Sequence, residues 1–341
     1  MRRTTPAAGR AVLVVCAGLL AGLLVACGGG SSGADAEPTG STVAQDDSAF
    51  PITIDHLLGS TTFEEPAQRI VALGPADQDI LLALGIVPIA MVENPYDGSQ
   101  LFPWVRDAGY DLSGVEFLPW ETTLTSVEAI AAMKPDAIIA TTAEADPSLY
   151  DRYSKMGAPI LPPIEGPVAD DWRSLTLTIG RVVGREARAA EVVAETEAAI
   201  EGVRERLPNL AGRTFVVGSA YEPGTVRVVN KPTDTVAQLF AELGMEIPPQ
   251  LAAIENPTAV GAADISTERI ELLDADALFL AGEGTREGLE GWEPFQRLRS
   301  VSSGAYLPYD SQFAYGLRVP TPLSVPFLLA EIEPVLAKIP A

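Results

Sequence analysis

The 341-residue chain has one histidine, His56, and two cysteines, Cys16 and Cys27. A His/Cys metal cluster cannot be assembled from so few ligands. A Ser-His-Asp hydrolase would have to use His56. Bases are scarce: 23 Lys and Arg stand against 46 Asp and Glu, for a formal charge of −23. A nucleic-acid binder needs the opposite balance, so no nucleic-acid partner is expected. Residues 51–341 carry no Gly-x-Ser-x-Gly, no P-loop Gly-Lys-Ser/Thr and no glycine-rich dinucleotide turn, and the chain is read as a non-enzyme. No apolar run reaches the ~20 residues of a membrane-spanning helix. What is plentiful is apolar residue content, 47% of the chain, which allows a sizeable core and excludes global disorder.

The first thirty residues have the order of an export signal. Arg2, Arg3 and Arg10 precede an apolar or small run over residues 11–26, which ends in Leu24-Val25-Ala26-Cys27. That end resembles a bacterial lipobox, with cleavage before Cys27 and lipid on its sulfur. Residues 1–26 would be removed, Cys16 with them, and no disulfide would remain. Two acyl chains on Cys27 would hold the acidic body to a membrane that otherwise repels it. Residues 27–50, rich in Gly, Ser, Thr, Asp and Ala, read as a flexible tether.

From Pro51 onward, short apolar runs alternate with helical patterns, which argues for parallel α/β sheets. Strands are expected at 70–73, 86–92, 137–140 and 214–217, with helices at 79–84, 127–133, 171–182 and 236–243. The pattern occurs twice. Ser126-Val127-Glu128-Ala129-Ile130 is echoed by Ser266-Thr267-Glu268-Arg269-Ile270, and Asp136-Ala137 by Asp276-Ala277. Between the halves, apolar positions at Ala189, Val192, Val193, Thr196, Ile200, Val203 and Leu207 follow the helical period. The expected architecture is therefore two Rossmann-like lobes, 51–184 and 209–341, joined by one long helix over 185–208, with a ligand cleft between them.

This arrangement resembles the class III substrate-binding proteins of ABC importers, which capture ferric siderophores or cobalamin. The marks are Gln68-Arg69-Ile70-Val71-Ala72-Leu73-Gly74, Leu84-Gly85-Ile86, the two Ser-x-Glu segments, Lys134-Pro135-Asp136-Ala137-Ile138-Ile139 and Pro322-Leu323-Ser324-Val325-Pro326. The resemblance implies a monomeric, lipid-anchored protein on the outer face of the plasma membrane. It would deliver a ferric siderophore to an ABC permease dimer for iron uptake. It also implies that Glu128 and Glu268 dock onto permease arginines. The residues themselves allow a plainer role, since an acid in the first turn of a helix stabilises that helix. Cobalamin or haem in the same fold, a paired-carboxylate hydrolase, and an envelope scaffold are the competing readings.

The cleft is expected beyond the carboxyl ends of the strands. Candidate loops are Pro75-Ala76-Asp77, Glu93 to Tyr96, Trp120-Glu121, Thr142 to Glu144, Tyr221-Glu222, Arg227 to Asn230, Glu283 and Tyr309 to Arg318. Aromatic rings offer rigid contact area with a polar tip, and arginine donates to ligand oxygens. Tyr96, Trp120, Tyr221, Arg227, Tyr315 and Arg318 are the candidate ligand contacts. No cofactor is expected, and iron would arrive only inside its chelate. Overall acidity points mildly to a neutral or cationic chelate. Trp104, Trp172 and His56 read as structural.

Overall fold

The computed structural model describes residues 50–120, 127–142, 146–166, 170–255, 262–282 and 284–340. The export signal, the tether up to residue 49 and Cys27 lie outside the described residues. Among the described residues no helix is long and apolar enough to cross a membrane.

A hairpin comes first, β1 (Ile52–His56) with β2 (Gly59–Phe63). The first lobe then has five parallel strands: β3 (Ile70–Ala72), β4 (Ala90–Val92), β5 (Glu116–Leu118), β6 (Ala137–Ile139) and β7 (Ile160–Leu161), in the order β5-β4-β3-β6-β7. The second lobe has β8 (Phe215–Ser219), β9 (Thr225–Val229), β10 (Ala262–Ser266), β11 (Ala277–Ala281) and β12 (Tyr306–Tyr309), in the order β10-β9-β8-β11-β12. Here β8, β11 and β12 are parallel, while β8–β9 and β9–β10 are antiparallel. The five residues between β8 and β9 are too few for the crossover a parallel pair requires.

The central strands of both sheets are buried on two faces, which is why they read as continuous apolar runs, whereas β9 and β10 expose alternate residues. Side chains alternate across each sheet. Phe215, Val217 and Phe279 enter one core of the second lobe, and Val216, Leu278 and Leu280 the other. In the first lobe Ile70, Ala137 and Ile139 face one core, and Val71, Ala90 and Ile138 the other.

The long helix spans Glu186–Arg206, about 32 Å at 1.5 Å per residue. Its apolar stripe feeds two cores. Ala189 and Val192 pack into the first lobe, Ile200 and Val203 into the second. The helix Trp172–Val182 runs into it through Gly184, whose φ of +63° suits glycine.

Some expected boundaries move. The strand expected over 86–92 narrows to 90–92, because Pro88 cannot donate to a ladder. Arg227 lies in β9, not in a loop, since Thr225–Val229 pairs with β8 and β10. The stretch Tyr309 to Arg318 is the end of β12 followed by the helix Ser311–Arg318. Pro75-Ala76-Asp77 is likewise no loop. It is the buried first turn of the helix Pro75–Ala83, opened by a proline whose fixed φ suits that position.

The sequence repeat has a structural counterpart. Asp136 accepts backbone N–H bonds from Gln68 and Arg69, just before β3. Asp276 accepts from the Thr214 N–H at 2.8 Å, just before β8. Each Asp thus clamps its lobe's central strand to the neighbour it precedes. Asp276 also meets Arg299 and Arg213. Burial works against its charged form, yet the Thr214 bonds and these arginines hold the carboxyl below its usual value. Asp276→Ala should cost about 2–3 kcal/mol, because it strands a strand N–H and removes the arginines' partner, against about 1 kcal/mol for the exposed Asp136→Ala. A carboxyl with a depressed pKa stabilises above its unfolded value and loses that effect as pH falls. The Asp276→Ala deficit, measured by denaturant titration, should therefore be full at pH 7 and shrink toward pH 3.

Candidate functional site

The two lobes meet along a seam built around the helix Ser311–Arg318. Tyr315 stacks on Phe102 with centroids 5.1 Å apart, and Phe102 stacks on Trp104 at 4.8 Å. Gly316 lies against Trp104, and a Cβ there would sit 3.1 Å from two ring carbons. Polar groups cross the same seam. The Asn94 amide donates to Gln312 at 2.7 Å, and Gln312 donates to Asp97 at 3.2 Å. Asp79 accepts from the Trp104 indole at 2.6 Å and from the Thr321 hydroxyl at 2.8 Å.

The six candidate ligand contacts fall into two groups, one on this seam and one in a cavity of the second lobe. Tyr96 and Trp120 flank Tyr315, each with its ring centroid 6.2 Å away. Tyr96 is 44% exposed and Trp120 37%, whereas Tyr315 is largely covered. Burial pushes the Tyr315 phenol well above its ordinary value, with Asp79 and Asp77 adding to the effect. Burial also raises the Tyr96 phenol, and Tyr221 contributes to that rise across the seam.

Tyr221, Arg227 and Arg318 line one cavity of about 610 Å³ on the second lobe. Its walls come from β8, β9, β10 and the helix Ser311–Arg318. Tyr221 is 53% exposed and contacts the Ser311 hydroxyl at 3.3 Å. Tyr309, at the cavity floor, donates to the Gly218 carbonyl at 2.9 Å. The volume lies within the ~300–1,000 Å³ range of small-molecule sites.

Glu128 sits exposed in the first turn of the helix Val127–Ala132, 3.8 Å from Arg152. Glu268 is also exposed, and its N–H donates to the Ser266 hydroxyl that caps the turn. Ser126 and the loop residues Glu121, Ala143, Glu144 and Glu283 lie outside the described residues. Trp104 and Trp172 are buried in apolar clusters. His56 Nδ1 accepts the Leu58 N–H, so its Nε2 carries the proton that meets Thr61 at 3.0 Å. This histidine packs on Tyr150 in the hairpin region, and neither residue lines the cavity. Among the described residues no three His, Cys, Asp or Glu side chains are grouped to hold a metal ion.

Three acids, Asp79, Asp234 and Asp264, are not among the residues singled out from the sequence, and Asp77 is expected there in a cleft loop rather than buried. Asp264 and Asp234 each grip a cavity arginine. Asp77 and Asp79 are fully buried in the helix Pro75–Ala83. Asp77 accepts from the Thr141 N–H and hydroxyl. One oxygen of Asp77 and one of Asp79 have no protein partner. Burial pushes both carboxyls up to about 7, against the hydrogen bonds they receive. The acids at 77 and 79 were visible in Pro75-Ala76-Asp77-Gln78-Asp79, but alternating polar letters signal exposure, not burial.

Two α/β lobes bridged by one long helix, with a cavity on the second lobe beside the seam helix, define a two-lobed binding protein. The chain belongs to the periplasmic binding protein family, whose model matches residues 70–297. It is 26% identical over 262 residues to the "Probable siderophore-binding lipoprotein YfiY" of Bacillus subtilis, covering 75% of this chain and 74% of that one. It is 27% identical over 218 residues to the Fe(3+) dicitrate-binding periplasmic protein FecB of Escherichia coli, covering 62% and 67%. A periplasmic solute binding protein of Mycobacterium smegmatis superposes with a TM-score of 0.69 at 26% identity, over 86% of this chain and 99% of that one. PiaA of Streptococcus pneumoniae, solved with ferrichrome, gives 0.69 at 23% identity over 85% and 100%. Family and fold match the resemblance read from the sequence.

The Asp79 bridge has a pH signature. Its pKa is raised in the fold, so the stabilisation of its neutral form is complete below about pH 4 and is lost as pH rises toward 7. Asp79→Asn keeps an acceptor for Trp104 and Thr321 and cannot ionise. Relative to wild type, the variant should gain about 2–3 kcal/mol between pH 5 and pH 8. Thermal unfolding of both proteins at the two pH values tests this, and parallel curves would contradict it.

Proposed function

We propose that this chain is the solute-binding component of an ABC importer and captures a ferric siderophore. The cavity on the second lobe carries the reading. It combines Tyr221, Arg227 and Arg318 with the neighbouring Tyr96, Trp120 and Tyr315, in a family whose relatives bear the names of ferric siderophore and ferric citrate binders. Flat aromatic area suits a bulky chelate rim, and guanidinium N–H groups suit its oxygens. The iron enters as cargo already held by its chelator, and the protein contributes no ligand to it. The protein acts without catalysis, as a monomer. Residues 1–26 direct export and are removed. Cys27 carries the lipid that anchors the protein to the outer face of the plasma membrane, and the tether through residue 50 lets the body reach the permease dimer.

Tryptophan fluorescence tests the cargo, because Trp120 is partly exposed beside Tyr315. Titration with a ferric siderophore should give saturable quenching, with a far weaker response to the iron-free form. Trp120→Ala should weaken that binding about tenfold, as expected for loss of a stacked aromatic contact. Absence of any response to ferric hydroxamate, catecholate and citrate chelates would sink the reading.

Docking is tested separately. Glu128 and Glu268 are exposed acids on separate lobes, placed to orient the body on a basic partner. The double variant Glu128→Ala/Glu268→Ala should retain chelate binding while cellular iron uptake falls at least tenfold. Unchanged uptake would favour a scaffold role instead.

A further inference from the structure

Both arginines that line the cavity are already matched with carboxylates. Arg227 on β9 grips Asp264 on β10 through two parallel bonds, Nε to Oδ1 at 2.7 Å and Nη2 to Oδ2 at 3.0 Å. The antiparallel register places the two residues directly opposite. The Arg227 guanidinium holds the Asp264 carboxyl below its usual value. Arg318 reaches Asp234 at 2.7 Å, and that carboxylate is almost fully covered. Glu255 also lines the cavity, and Glu222 acts on Arg227 electrostatically. Among the described residues, the cavity lining therefore offers no uncompensated positive charge.

Matching removes the charge without removing the donors. A guanidinium has five N–H groups, and two of those on Arg227 are engaged by Asp264. The rest remain free for a neutral carbonyl or hydroxamate oxygen. An anionic ligand meets a different situation. To use Arg227 it must displace Asp264 or sit beside it, and like charges brought together repel. Val217, Val229 and Leu317 supply apolar wall in the same cavity, which suits an uncharged rim.

Resting on the ferric-siderophore reading above, we propose that Asp264, by neutralising Arg227, makes this site select neutral or cationic ferric chelates of the hydroxamate type over anionic citrate and catecholate chelates. Asp264 sets specificity through Arg227 and through the field at the cavity mouth. Because the pair is exposed on both sides, its replacement should disturb folding little.

The test compares ferrichrome (neutral), ferrioxamine B (cationic), ferric citrate and ferric enterobactin (both anionic) by fluorescence titration of the full chain and its Asp264→Asn variant. Wild type should bind one of the first two at least tenfold tighter than either anionic chelate. In Asp264→Asn the ratio of anionic to neutral affinity should rise at least fivefold, and the gain should fade between 50 and 500 mM NaCl. Thermal unfolding of the variant confirms that it is folded. Tighter wild-type binding of ferric citrate or ferric enterobactin would overturn the selectivity and leave the siderophore reading standing. So would an unchanged ratio in the variant. Failure of all four chelates to bind would overturn both.

Discussion

The ligand-facing half of this molecule depends on how one eight-residue helix, Ser311–Arg318, is wedged between the lobes. Close approach is possible because Gly316 has no side chain where Trp104 lies. Once seated, the helix places Tyr315 on Phe102, hands Gln312 to Asn94 and Asp97, and points Arg318 at Asp234. Just beyond it, Thr321 closes on Asp79. Aromatic stacking and buried hydrogen bonds thus act on the same short stretch of chain. A larger residue at 316 would shift all of them together, because close-packed interiors transmit strain. The long helix Glu186–Arg206, which feeds both cores from one stripe, adds resistance to bending at the back of the seam. These contacts fix the one helix that carries Tyr315, Leu317 and Arg318.

The lobes are built alike up to a point, and the departure explains where the cavity is. Each has a central strand clamped by an Asp that opens the next parallel strand, Asp136 in one lobe and Asp276 in the other. In the first lobe the connection after the central strand carries the buried helix Pro75–Ala83. In the second, the chain turns back at once into β9 and then β10, both antiparallel to their neighbours. Strand residues such as Arg227 and Asp264 are therefore free to form the cavity wall directly. The antiparallel register also dictates the Arg227–Asp264 pairing, since residues facing each other across such a ladder are within side-chain reach.

Legibility in the sequence followed the range of the interaction. The 186–206 helix announced itself through seven periodic apolar positions, and the central strands through short runs such as Ile70-Val71-Ala72. Local chemistry carried those signals. Trp104 stands in a helical pattern that the helix Pro103–Ala108 bears out, while the helix Pro147–Ser154, capped by Asp146, is too short for a clear period. Residues 227–229 carry cleft-like chemistry that suggests a loop, yet Thr225 to Val229 has the β-branched content of a strand. Six candidate contacts could be named by residue type, but not their grouping, with Tyr221, Arg227 and Arg318 in one cavity and Tyr96 and Trp120 around Tyr315. Arg227 and Asp264 are 37 positions apart, and Arg318 and Asp234 are 84 apart. Only folding brings such pairs together.

This distinction matters for reading the protein's charge. A formal −23 spread over the chain creates a field felt within about a Debye length, roughly 8–10 Å in physiological salt. It can slow the approach of an anion but cannot define a pocket. The local answer comes from pairing, where each cavity arginine has its own carboxylate. Had those arginines stood unpaired, the pocket would have opposed the surface and drawn anions in against the repulsion. As built, long-range field and local lining act in the same direction. For the cargo proposed above, discrimination among iron chelates would then rest on shape, aromatic contact and uncharged hydrogen bonds rather than on the chain's net charge.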